Sequence, residues 1–252
     1  MRHYLGIPAY TTTMDWADAN LETGDWLTVG SGNLDLLTGH TGDYTTVGMY
    51  STTAIEPIPV LGEQSDIEAA VDACDAAGLT HFAYHMEGDY TSDTIITYTT
   101  IAYNRCVLDG LTMRLGLGWF NLNSLMGDAR MGEALAKTHQ VVLSGIQAQA
   151  RYTATKHWPS TVAKWIRAVM AENFTGDIWV QLAVEPHNAG VTPAQHLQEH
   201  IDLWGLELPL NGIAWYTNAP GADPTGEEWQ NLQDTIELIR AWEERVTLTW
   251  HT

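Results

Sequence analysis

The stretch Asp177-Ile178-Trp179-Val180-Gln181-Leu182-Ala183-Val184-Glu185-Pro186-His187-Asn188 decides how the chain is read. Ile178, Val180, Leu182 and Val184 fall on one side at a period of two, and Trp179, Gln181, Ala183 and Glu185 fall on the other. That alternation suits a strand held between a layer of helices and a lined interior. Pro186 has no N–H to give a ladder, so the strand ends there. Thr192-Pro193-Ala194-Gln195 then supplies an N-cap hydroxyl, a proline in the first turn and a glutamine at the third helical position, which opens a helix. Strand, loop and helix in that order put Glu185 at the carboxyl end of a parallel strand, where open α/β sheets and (β/α)8 barrels keep their chemistry.

The same unit recurs in both directions. Residues 3–11 read as a first strand, made irregular by Pro8. Ile55–Glu63 reads as a second, followed by the capping box Ser65-Asp66-Ile67-Glu68 and a helix to Gly78. Thr80–Asp89 gives a third, with Phe82, Tyr84 and Met86 opposed to His81, Ala83, His85 and Glu87, and a helix from Ser92 to Leu108 stopped by Gly110. Leu111–Asn121, Gln140–Gln149 and the opening stretch make the fourth, fifth and sixth, Asn211–Asn218 the seventh and Val246–His251 the eighth. Helices are predicted near 124–137, 159–174, 193–204 and 226–243, the last announced by Thr225-Gly226-Glu227-Glu228.

Strands alternating with capped helices define an α/β class, either a (β/α)8 (TIM) barrel or a doubly wound sheet. The inward faces favour the barrel. Gly116, Gly118, Gln147, Gln149, Gln181, Ala183, Thr247 and Thr249 mix small and polar groups, whereas a sheet covered by helices on both faces reads nearly continuously apolar. One domain is expected over residues 1–252. Residues 12–54 are rich in Gly, Thr and Asp with Trp16, Trp26, Tyr44 and Tyr50 embedded, too long for an ordinary connection. They are expected to be a loop or hairpin elaboration after the first strand, with Thr45–Ser51 its best candidate for an extra strand. An eighth strand at Val246–His251 leaves no closing C-terminal helix. The bare seam would expose Leu5, Ile7, Val246, Leu248 and Trp250, so a homo-oligomer or a place in a larger assembly is expected unless residues 12–54 cover it.

Composition narrows the partners. With 31 acidic against 11 basic residues the formal net charge is −20, which repels nucleic acid and anionic membranes alike. No apolar run approaches the roughly 18 residues of a membrane span, and Met1-Arg2-His3-Tyr4-Leu5-Gly6-Ile7-Pro8 lacks the apolar core of a signal peptide, so cytoplasmic synthesis is expected. Cys74 and Cys106, both in predicted helices, read as reduced core fillers. The 11 Trp and 10 Tyr supply faces that stack on sugar rings as well as core aromatics.

Glu87 and Glu185 stand at strand ends three strands apart, where two carboxylates can flank a bond across the mouth of a barrel. Glycoside hydrolysis asks for that arrangement: one carboxylic acid protonates the leaving oxygen, and a carboxylate about 5 Å away attacks or one about 6.5–9.5 Å away activates water. Around them Tyr10, Glu63, His85, Asn121, Gln147, Gln149, Tyr216, Asn218, Trp250 and His251 are the candidates for holding a sugar, with Trp119, Trp158, Trp215 or Trp250 for stacking. The plainer alternatives are that Glu185 is a hydrogen-bonded structural carboxylate and that Glu87 pairs with His85. His85-Met86-Glu87-Gly88-Asp89 carries three possible metal ligands on one face, but no HxH or HxxxH partner accompanies it, so no metal is expected. Val29-Gly30-Ser31-Gly32-Asn33 lacks the Lys-Ser/Thr of a phosphate loop and Ser144 sits outside any G-x-S-x-G elbow, so no cofactor and no nucleophilic serine are expected.

On these residues the chain resembles the barrel glycoside hydrolases whose acid and nucleophile sit on two strands three apart. Val184-Glu185-Pro186 is similar to their Asn-Glu-Pro, with valine in place of the asparagine, and the likeness spans most of residues 3–251. On the strand count above, Asn121 and Asn218 occupy the ends of the fourth and seventh strands, where those enzymes carry their glutamates. Counting Thr45–Ser51 as a strand moves Glu87 and Glu185 to the fourth and seventh instead. The Lys-poor, Thr-, Gly- and Trp-rich acidic composition also resembles tail-associated proteins of phages that infect actinobacteria. That resemblance implies a virion component that contacts a host cell-wall polysaccharide, with a barrel that is either hydrolytic or a catalytically inactive structural or receptor-binding part.

Overall fold

The computed structural model describes residues 4–9, 13–52, 61–86, 88–126, 128–146, 148, 158–184, 191–216 and 226–249. Eight parallel strands close on themselves in chain order: β1 (Tyr4–Pro8), β2 (Trp26–Gly30), β3 (Thr45–Thr52), β4 (His81–Met86), β5 (Thr112–Leu117), β6 (Gln140–Ser144), β7 (Asp177–Ala183) and β8 (Gly212–Tyr216). The ring shuts where β8 returns to β1, with Tyr4 opposite Gly212 and Gly6 opposite Ala214. The expected (β/α)8 barrel is therefore present.

Its strands differ from those expected at both ends of the chain. Residues 12–54 are no elaboration. After α1 (Met14–Asn20) they contribute β2 and β3, two full staves of the barrel. Neither announces itself, because β3 reads Thr-Thr-Val-Gly-Met-Tyr-Ser-Thr, with Gly48 on its outer face where the Cys74 side chain packs close. The expected second strand, Ile55–Glu63, is overturned from Leu61 onward by α2 (Leu61–Ala76), which encloses Ser65 within the helix, not at its cap; residues 53–60 lie outside those described.

The expected eighth strand is helix. α8, residues Glu227–Thr249, runs through Val246, because packing of its apolar side overrides the β-propensity of Val-Thr-Leu-Thr. Trp229, Leu232, Ile236 and Ile239 of this helix are buried, and Trp229 meets Trp16 of α1 edge-on at 5.4 Å. Arg240 reaches across to Asp25, just before β2, and pairs with its carboxylate. Asp25 is itself 1% exposed and accepts the Leu5 amide at 2.9 Å and the Glu22 amide at 3.0 Å. A closing C-terminal helix thus exists. Leu5 and Ile7, two residues of the seam that argued for an oligomer, are buried within the chain, whereas the Leu248 side chain and Trp250 lie outside the described residues.

The other helices are α3 (Ser92–Asp109), α4 (Trp119–Met126), α5 (Met131–Leu135), α6 (Trp158–Ala171) and α7 (Pro193–Trp204). Their ends follow local chemistry. Thr91 caps α3 by accepting the Thr94 amide, and Gly110 stops it in the left-handed region at φ 75°. Thr192 and Gln195 form the anticipated capping box on α7, each side chain accepting the other's backbone N–H. Between barrel and helices lies the main core: Phe82, Met86, Leu115, Leu117, Leu143, Val180 and Leu182 are all wholly buried, each burial favouring the fold by about 1.5–3 kcal/mol. Cys74 and Cys106 are buried free thiols, as their sequence context suggested. Among the described residues no helix is long and apolar enough to cross a membrane.

Candidate functional site in the barrel interior

Strand alternation sends every second side chain into the barrel, and two tiers of them bound the C-terminal half of its interior. The lower tier is built on aromatic rings and one cation. Trp26 of β2 stacks on Trp179 of β7 with ring centroids 3.1 Å apart, and the guanidinium carbon of Arg114, from β5, lies 3.0 Å above the Trp26 ring and 5.8 Å from that of Trp179. Val47, Ala83 and Val142 complete that tier. Arg114 is 1% exposed. Its Nε donates to the Gln140 side-chain oxygen, and Gln140 in turn donates to Asp177 Oδ2 at 2.9 Å. Asp177 Oδ1 accepts from Asn211 Nδ2 at 2.9 Å. Burial lowers the pKa of the guanidinium well below its ordinary value, with Asp177 opposing the shift. Nη1 of Arg114 has no hydrogen-bond partner among the described residues.

The upper tier holds Thr28, Met49, His85, Gly116, Gln181 and Tyr216. Gly6, Ala83, Gly116 and Ala214 put almost no side chain into the space, and a cavity of about 70 Å³ remains. Barrel interiors are ordinarily filled by branched side chains, so an open, mostly apolar volume that His85, Arg114, Gln181 and Tyr216 also line is the departure that marks a site. Gly116 is needed for its shape: a Cβ there would stand 2.7 Å from Cδ2 of the His85 ring. Lower down, burial holds the His81 imidazole at a pKa of about 4, helped by Arg114 and then His139.

The sequence-predicted candidates separate into three groups. His85 and Tyr216 line the cavity. Glu63 does not: it is no strand end but lies in the first turn of α2, where the Tyr50 hydroxyl donates to it at 3.3 Å. Tyr50 in turn stacks on Tyr84 at 6.3 Å, in a group of tyrosines on the outer face of the sheet. Asn121 is likewise no strand end. It is in α4, wholly buried, and is taken up by backbone: Nδ2 donates to the Met86 carbonyl at 2.9 Å and Oδ1 accepts the Tyr90 amide at 3.4 Å. Trp215 borders the cavity, but its ring is 1% exposed in the core and edge-on to His196 at 5.4 Å, so no ring face is open to a sugar. Tyr10, Glu87, Gln147, Gln149, Glu185, Asn218, Trp250 and His251 lie outside the described residues, as do the side chains of Trp119 and Trp158.

The corrected strand order bears on the two glutamates. In sequence Glu87 follows Met86, the last residue of the fourth strand, and Glu185 comes two residues after Ala183, the last of the seventh. Thr45–Ser51 is indeed strand, but the fourth and seventh positions are reached because Trp26–Gly30 is a strand as well, while Leu61–Glu63 of the expected second strand is helix. Sequence reasoning missed Arg114, Thr28 and Met49. The last two belong to strands hidden in the Gly- and Thr-rich segment, whereas Arg114 was legible as the inward residue between Met113 and Leu115.

No family profile matches the sequence, and no characterised protein matches it at the sequence level. Solved structures do. A family 18 chitinase from Crocus vernus is similar with a TM-score of 0.60 at 9% identity, over 98% of this chain and all 100% of that one. An endo-β-N-acetylglucosaminidase from Cordyceps militaris is similar with a TM-score of 0.58 at 13% identity, over 96% of this chain and 91% of that one. A D-allulose 3-epimerase from Methylomonas sp. is similar with a TM-score of 0.51 at 11% identity, over 95% and 98%. At such identities the likeness is one of fold, and the same barrel serves glycosidases and a sugar epimerase.

Proposed function

We propose that the chain is a glycan-handling barrel that binds a polysaccharide at the C-terminal end of its strands and hydrolyses it with Glu87 and Glu185. The observation that carries the reading is the cavity of about 70 Å³ in that half of the barrel, framed by His85, Gln181 and Tyr216. The strands after which the two glutamates follow in sequence are the fourth and seventh, three apart, which suits an acid and a nucleophile facing each other across a sugar. Two of the three similar structures are named as glycosidases. In this mechanism Glu87 protonates the glycosidic oxygen as the bond breaks, and Glu185 attacks the anomeric carbon or activates a water, depending on their separation. The composition favours a host cell-wall polysaccharide met by a virion tail component.

The test is a panel of cell-wall polysaccharides assayed for reducing-end release. Glu87→Gln and Glu185→Gln should each lower turnover by at least a hundredfold while glycan binding stays intact. Turnover unchanged in either variant removes that residue from the chemistry. A carboxyl separation beyond about 10 Å in a glycan complex removes the pair. Binding without turnover by the wild type makes the barrel a receptor-binding part, not an enzyme.

A further inference from the structure

Arg114 is a buried cation to which no carboxylate among the described residues is bound directly. Its guanidinium is 1% exposed, lines the cavity and leaves Nη1 without an acceptor among the described residues. Among the described residues the carboxylate that acts on it, Asp177, is reached only through the Gln140 amide and is already engaged by Asn211. One edge of the guanidinium is thus engaged by Gln140, and Nη1 is the donor left to give to an acceptor. A buried charged donor left unmet is costly and calls for an explanation, of which a binding site for an acceptor is one. The Trp26 face 3.0 Å beneath the guanidinium fixes its plane, so the donor is oriented before any ligand arrives.

We propose that the cavity above Arg114 is an anion subsite that takes the single carboxylate of an acidic sugar residue, the sugar ring resting at the rim beside His85 and Tyr216. The sugar part of this rests on the glycan reading above. Size and charge select the ligand. About 70 Å³ admits a carboxylate and its attached carbon but not a whole pyranose. One guanidinium matches one negative charge, whereas a phosphate dianion would bring a surplus charge between the apolar walls of Val47, Ala83 and Val142. A chain of net charge −20 also repels a polyanion at long range, so isolated acidic residues within a largely neutral glycan suit it best.

Isothermal titration of the wild-type protein with methyl glucuronoside, methyl glucoside, acetate and phosphate tests this. The glucuronoside should bind at least tenfold more tightly than the glucoside. That preference should vanish in Arg114→Met and also in Ala83→Leu, which fills the cavity and keeps the charge, so the result survives if the arginine variant fails to fold. Equal binding of the two sugars, a preference that survives both substitutions, or phosphate bound more tightly than acetate and glucuronoside overturns the subsite. Cleavage of neutral polysaccharide with no acidic preference upholds the glycan reading and overturns the subsite. Arg114-dependent binding of acetate with no sugar bound upholds the anion site and removes the glycan reading.

Discussion

Asn121 donates its side-chain amide to the carbonyl of Met86 at 2.9 Å and accepts the amide of Tyr90 at 3.4 Å, so one buried residue of α4 grips the chain on both sides of residue 87. The Gly118 amide adds a second bond to the same Met86 carbonyl at 3.3 Å. The segment that leaves β4 is thereby tied to the helix after β5.

Asn121→Leu keeps the volume, strands the Tyr90 amide and leaves the Met86 carbonyl with the Gly118 N–H alone. Urea unfolding should show a loss of about 1–3 kcal/mol, chiefly the desolvated Tyr90 N–H. A loss under about 0.5 kcal/mol would mean that water replaces the amide and that the grip is weak. Asn121→Asp, which retains the acceptor for Tyr90, should cost less than the leucine variant.

Arg240→Met removes the partner of Asp25, a carboxylate 1% exposed that still receives the Leu5 and Glu22 amides. Breaking such a buried pair from one side costs about 3–5 kcal/mol. The double variant Asp25→Asn/Arg240→Met should be less damaging than the sum of the two single changes, because Asp25 is then no longer a buried charge without its cation, while Arg240 pairs with Glu243 at 3.2 Å as well. Additive losses in that cycle would show that the two side chains act independently.

His81 gives the stability a pH dependence. Its folded pKa is held at about 4, against 6.5 in the unfolded chain, because burial disfavours the imidazolium and Arg114 and His139 repel it. Between those values the unfolded state binds the proton and the folded state does not, so stability falls as pH drops from about 6.5 towards about 4. The loss should be on the order of 1–2 kcal/mol after allowing for partial exposure. His81→Asn should flatten this part of the profile; an unaltered slope would assign it to other groups.

Gly116→Val should clash with the His85 ring, since even a Cβ would come within 2.7 Å of Cδ2. A destabilisation of about 1–3 kcal/mol is expected, relieved in part by His85→Ala. If calorimetry finds the valine variant as stable as the wild type, the imidazole has room to move and the cavity wall is soft.

How far the chain could be read follows from what each strand offered. β7 was plain because Ile178, Val180 and Leu182 alternate without interruption. β2 and β3 were hidden, since five residues ending in glycine and eight residues of which five are threonine, serine or glycine look like loop. α8 misled in the opposite sense: Val246-Thr-Leu-Thr has strand propensity, and only tertiary packing makes it helix. The same errors decided the site. Asn121 and Glu63 were assigned to strand ends because the strands were drawn too long, while Arg114 was passed over because a charge between Met113 and Leu115 reads as an isolated irregularity. What makes Arg114 notable is the pair of indoles from β2 and β7, and no local pattern brings those strands together.

Asp25 and Arg240 meet although 215 residues separate them along the chain, and β1 finds its second neighbour only when β8 has been made. A ribosome therefore releases the amino-terminal staves long before the hoop can be shut. Through that interval β1 keeps a free ladder edge, the kind of surface that recruits strands from other chains. The clasp between the first acidic corner and the last helix thus acts as a latch on vectorial assembly: growth rate, temperature and chaperone supply during synthesis should govern yield more than the final stability does.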